Sequence, residues 1–144
     1  MRLTARGGPW LAFAGLAVVL VGTFLPWLRS GDALRDSYQS VDVLRVQPTP
    51  PSGPVGVLLY AWLAVIPLCS ISVALYALHA RRTAALVACV IGVLGLATSA
   101  LALVNAGGPA DAIGFSPTGP IVTLCGAAAA LVGGIVVFGG VSQE

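Results

Sequence analysis

The sequence predicts an all-α membrane protein: a four-transmembrane-helix bundle with a short amphipathic helix in its first outer loop. Three observations carry this expectation. The 144 residues are 58% hydrophobic and only 8% charged, with a mean hydropathy of +0.98; a soluble domain is about 45–50% apolar and about 25% charged. Four apolar runs, about 10–28, 55–78, 83–104 and 119–141, each hold 19 to 24 residues, and about 20 residues at 1.5 Å rise cross a hydrocarbon core of about 30 Å. All twelve Arg, Asp and Glu residues fall outside those runs. A charge at the bilayer midplane costs about 2.5–3.5 kcal/mol, so this exclusion is what insertion demands. Residues 1–144 are read as a single integral membrane domain. Only helices or a closed barrel satisfy their own backbone in lipid. Barrel strands would be about 9–11 residues long and alternate in polarity, unlike these runs.

The first run follows Arg2 and Arg6 and is bracketed by Trp10 and Trp27, residues that favour headgroup depth. It resembles a signal peptide in its basic start. It is long, however, ends in Pro26-Trp27 and lacks a nearby small-x-small cleavage pattern, so it is expected to remain as a span. After it, Arg29-Ser-Gly-Asp supplies exit and turn residues. Leu34, Tyr38, Val41 and Leu44 then recur at spacings of four, three and three, which predicts one helical face; strand alternation fails at Val43-Leu44. Asp32 is the expected N-cap or first-turn acid. Arg35 and Arg45 follow Asp32 and Asp42 by three, a spacing worth about 0.2–0.5 kcal/mol per pair. This loop is either a lid with a solvated charged face or a partner-recognition surface, whose residues would be Arg29, Asp32, Arg35, Asp36 and Tyr38. Gln47-Pro-Thr-Pro-Pro-Ser-Gly-Pro then stops any helix.

The second run has Tyr60 and Tyr76 near its ends. Pro67 midway predicts a kink, with Ser70 placed to help satisfy freed carbonyls. Arg81-Arg82 fills the short link to the third run. Ala88 and Gly92, then Gly95 and Ser99, share a four-residue spacing in the third run, as do Gly126, Ala130 and Gly134 in the fourth. Small residues let neighbouring backbones approach in lipid, so these faces are expected to pack within the bundle or against another subunit. The second outer loop, around Asp111, is rich in Gly and Pro and is expected to lie beside the first, with Phe115 as an apolar contact.

Arg2, Arg6, Arg81 and Arg82 fall on one side, against Arg29, Arg35 and Arg45 on the other. The positive-inside rule places both termini in the cytoplasm, in a multi-pass chain of the plasma membrane.

Much chemistry is excluded. Cys69, Cys89 and Cys125 sit singly in different runs, so no pair is available for thiol–disulfide exchange. His79 is the only histidine, too few for a bis-His haem or a zinc site and unmatched with any serine–acid pair for hydrolysis. No carboxylate lies inside a run, as proton-coupled transport requires. The polar groups there are the hydroxyls of Thr23, Ser70, Ser72, Thr98, Ser99 and Thr123. No basic stripe suits nucleic acid, and no glycine-rich phosphate loop occurs. No cofactor and no metal are expected. The expected partners are the lipid bilayer and other membrane subunits or a second copy. The function expected is a non-catalytic accessory or assembly subunit; the other reading is an oligomeric channel or carrier for a small or lipidic solute, lined by the hydroxyls and glycine faces.

Leu25-Pro26-Trp27, Ser30-Gly31, Arg35 and Ser37-Tyr38, followed by three more runs, resemble small four-span bacterial integral membrane proteins with an LPW exit after the first helix. Asp36, between Arg35 and Ser37, departs from their pattern. The resemblance implies the four-span topology and no particular chemistry. The long first outer loop is also claudin-like, but the paired loop cysteines of claudins are absent.

Overall fold

In the computed structural model, which describes residues 2–30, 33–46, 53–105 and 113–141, the chain is mostly helical. The order is α1 (Arg2–Phe24), β1 (Leu28–Ser30), β2 (Ala33–Arg35), α2 (Ser37–Arg45), α3 (Gly53–Trp62), α4 (Val65–Ala77), α5 (Arg81–Asn105), β3 (Ile113–Phe115) and α6 (Thr118–Val141). Helices α1, α5 and α6 are each long and apolar enough to cross a membrane. The second apolar run is not one helix. It is α3 and α4, bent by 48° at a short break, and the pair counts as a further span only if taken together.

The break has a local cause. Pro67 has no N–H to donate, so a continuous helix through it would lose the bond to the Leu63 carbonyl and clash with the preceding turn. The chain instead tightens at Leu63 and Ala64, whose N–H groups bond three residues back to Tyr60 (3.2 Å) and Ala61 (3.1 Å). A new helix begins at Val65. Pro67 thereby falls in the first turn of α4, where N–H groups have no intrahelical acceptor and a proline is tolerated. The expected kink is present, but Ser70 does not serve the freed carbonyl: its Oγ donates to Ile66 at 3.1 Å.

Helix α6 is the centre of the bundle, with α1 on one side and α5 on the other. Its contact with α1 is antiparallel and built from small residues. Gly22 lies against Thr123, Gly15 against Gly126 and Ala130, Ala12 against Gly133, and Gly8 against Val137. A Cβ on Gly126 would stand 2.7 Å from the Val19 nitrogen and 2.9 Å from the Gly15 carbonyl oxygen, so the two backbones touch. On the other flank of α6, Gly92 and Gly95 abut Ala127, and Gly134 abuts Cys89 and Ala85. Helices α4 and α5 form an antiparallel hairpin, tied by the buried Ser72 hydroxyl donating to the Ala84 carbonyl at 3.2 Å.

The hairpin turn is tight. His79 adopts φ = +62°, its N–H bonds to the Tyr76 carbonyl, and the Ala80 N–H bonds to that of Leu75. These are the two bonds of a Schellman stop, with histidine where glycine is usual.

Candidate functional site: the capped end of the bundle

The three strands were not foreseen from the sequence. They form one antiparallel sheet in the order β2-β1-β3, capping the end of the bundle where α1 stops and α6 starts. Strand β1 pairs with β2 as Leu28 with Arg35, Arg29 with Leu34 and Ser30 with Ala33, and with β3 as Leu28 with Phe115. The two interhelical loops are therefore one structure, and the second does lie beside the first.

Trp27 is the hub. Its N–H donates to the Arg35 carbonyl at 2.8 Å, and its own carbonyl accepts from Ser116 at 2.9 Å. Its indole Nε1 donates to the Gly22 carbonyl at 2.8 Å, and its ring meets that of Trp62 at 5.2 Å between centroids, tilted by 52°. The Pro26 carbonyl accepts from Gly119 at 3.0 Å, where a side chain on Gly119 would collide with the Trp27 ring. Ser37 Oγ, buried, donates to the Thr23 carbonyl at 2.8 Å. The last carbonyls of a helix have no intrahelical donor; for α1, Trp27 and Ser37 supply two of the missing partners, binding the cap to the span.

Helix α2 starts at Ser37, five residues later than Asp32. The N-cap is Asp36, whose side chain accepts from the Gln39 N–H at 2.9 Å. The expectation that Asp32 fills this role is corrected on that ground; Asp32 itself, and with it the Asp32–Arg35 pairing, lies outside the described residues. The expected apolar face is corrected as well. Tyr38 and Val41 do turn inward, accompanied by Ser37 and Ser40, but Leu34 belongs to β2 and is 60% exposed. The four-residue step from Leu34 to Tyr38 was a coincidence of spacing across a strand–helix boundary. The side chains of Leu44 and Arg45 lie outside the described set.

The five proposed recognition residues do not share one surface. Arg29 is exposed on the outward face of the sheet, beside Leu34. Leu28 and Arg35, the next pair along, face the bundle side: Leu28 is buried and Arg35 half-buried, with its Nε enclosed and without a hydrogen-bond partner. Asp36 is engaged in capping. Tyr38 is half-buried, its hydroxyl enclosed and unpartnered, and burial pushes its pKa above the ordinary value of 10.0.

The helix-packing residues are inside. Ala88, Gly92, Gly95, Ser99, Gly126, Ala130 and Gly134 are all buried; Gly126 and Ala130 face α1, while Gly92, Gly95 and Gly134 lie between α5 and α6. These faces are filled by the chain's own helices. Gly8, Gly15 and Gly22 of α1, which complete the α1–α6 contact, were not singled out from the sequence, although their repeat every seven residues was there to be read. Of the six hydroxyls, Thr23, Ser72, Thr98, Ser99 and Thr123 are buried, and Ser70 alone is exposed. A pore between protomers would find only one of these six on the bundle surface. Among the described residues no group of three or more His, Cys, Asp or Glu stands close enough to hold a metal ion.

Comparison with protein-family models, curated proteins and solved structures gave no match.

Proposed function

We propose that the chain is a four-span integral protein of the plasma membrane, with α3 and α4 together forming the second span and both termini cytoplasmic, and that it serves without catalysis as an accessory or assembly subunit of a larger membrane complex. The observation that carries this reading is the cap. Segments from two distant loops are fixed to each other and to α1 by a set of buried hydrogen bonds, and the resulting sheet turns Arg29 and Leu34 outward, side by side. A rigid platform bearing one exposed apolar and one cationic side chain suits protein recognition, because little ordering entropy is lost on binding. Strand β2 is also a sheet edge, and an edge accepts a further strand.

Blue-native electrophoresis of gently solubilised membranes tests this. A band well above monomer mass is expected, collapsing in an Arg29→Glu, Leu34→Asp double variant whose thermal unfolding midpoint is unchanged. A wild-type band at monomer mass with nothing co-purifying refutes the reading.

A further inference from the structure

At the opposite end of the bundle a cavity of about 640 Å³ opens between α1 and α4. One wall is Trp10 and Phe13 of α1; the other is Tyr76 and Val73 of α4; His79 and Arg81 close its end at the hairpin turn. The walls are graded. Phe13 lies three residues beyond Trp10 along α1, and Val73 three residues before Tyr76 along the antiparallel α4, so each wall runs one helical turn from an amphipathic ring to a purely apolar side chain. Trp10 is 75% exposed and Phe13 44%, so both rings are open to a ligand in the groove.

The polar end carries a definite sign. Arg81 and His79 line the cavity, and Arg82 follows. The acidic residues within the described chain, Asp36 and Asp42, belong to α2 at the far end. Tyr76 lines the groove, while its hydroxyl is enclosed within the bundle. A cation at one end of an apolar trough matches one chemistry: a phosphodiester followed by an acyl chain.

We propose that this groove binds one anionic phospholipid from the adjacent leaflet. Arg81 holds the phosphate, and one acyl chain lies between Phe13 and Val73. Arg81 at the mouth of the trough favours a net-negative headgroup. Basic pockets between spans hold anionic lipids on this principle. The inference rests on the membrane-spanning reading, and not on the role in a complex.

The test is native mass spectrometry of the detergent-purified full chain with added phosphatidylglycerol or phosphatidylcholine of identical acyl chains. Phosphatidylglycerol should be retained at least tenfold better. Arg81→Gln should reduce its retention about fivefold, the effect of one basic residue at an anionic headgroup. Val73→Trp, which fills the trough and leaves the charge, should reduce retention of both lipids. Arg45→Gln removes an equal charge at the far end and should leave retention unchanged; excess inorganic phosphate should not displace the lipid. Equal retention of the two lipids, an Arg81→Gln chain that behaves as wild type, or an equal loss in Arg45→Gln overturns the proposal, as does displacement by phosphate. Reconstitution separates the two levels: a chain that will not enter vesicles sinks the spanning reading, and one that enters but holds both lipids alike sinks only the lipid site.

Discussion

Gly126→Ala adds one methyl group where α6 touches α1. The new carbon would meet the Val19 nitrogen at 2.7 Å and the Gly15 carbonyl oxygen and Val18 Cγ1 at 2.9 Å. Two of these are backbone atoms of another helix and cannot swing aside, so α1 and α6 must separate by several tenths of an ångström along their whole contact. Overpacking of a filled interior costs about 1–3 kcal/mol, and alanine recovers part of this because it is the better helix former by about 0.8–1.0 kcal/mol. The net loss expected is about 0–2 kcal/mol, or about 1–3 kcal/mol relative to an alanine placed where nothing is touched, read as a lowered midpoint in denaturant unfolding of the micelle-solubilised protein. Gly7 in α1 and Gly139 in α6 are the controls. Neither has a heavy atom within 4 Å of its would-be Cβ, so alanine there should be neutral or slightly stabilising. The contact is mutual, since a Cβ on Gly15 would meet the Gly126 carbonyl at 2.7 Å. Once one substitution has parted the helices the second meets less resistance, and the Gly15→Ala, Gly126→Ala double variant should lose less than the sum of the singles. If Gly126→Ala is as mild as Gly139→Ala, the close approach of α1 and α6 is wrong.

Three further outcomes are expected. His79→Gly should raise stability by about 0.5–1 kcal/mol in the same unfolding assay, because glycine adopts φ = +62° without the Cβ clash, while lowering anionic-lipid retention. Ser72→Ala removes the buried bond to Ala84 and should cost about 0.6–1.7 kcal/mol, the span measured for hydrogen bonds between helices in membranes. Tyr38 keeps its proton in the folded chain at a pH where the unfolded chain ionises, so its contribution is intact below pH 10.0 and is lost as pH rises beyond it; stability measured from pH 9 to about 11.5 should fall more steeply in wild type than in Tyr38→Phe.

How much of this was legible beforehand depended on the length of each signal. The third and fourth runs, 83–104 and 119–141, became α5 and α6 with shifts of one or two residues, because charge exclusion over some twenty residues leaves little freedom. Helix α1 begins earlier than its apolar run, at Arg2, since a helix can continue into polar sequence. Pro67 announced a discontinuity, but the break settled at Leu63 and Ala64, a position decided by which N–H groups are already without acceptors. The sheet was invisible. Its strands are three residues long, too short for any alternation, and its pairing is decided by where α6 re-enters. The small residues of α5 and α6 were visible, but the identity of their neighbours was not: spacing along a helix gives a face, and only the arrangement of the other helices says what meets it.

Strand β1 has one neighbour close at hand and another more than eighty residues later in the chain. The hairpin with β2 closes as soon as the first loop exists, whereas the opposite flank of β1 stays bare until β3 follows α5. Closure of the cap therefore waits on the helices that intervene. A chain cut short before β3 exposes an unpaired strand flank, the kind of surface that invites spurious pairing.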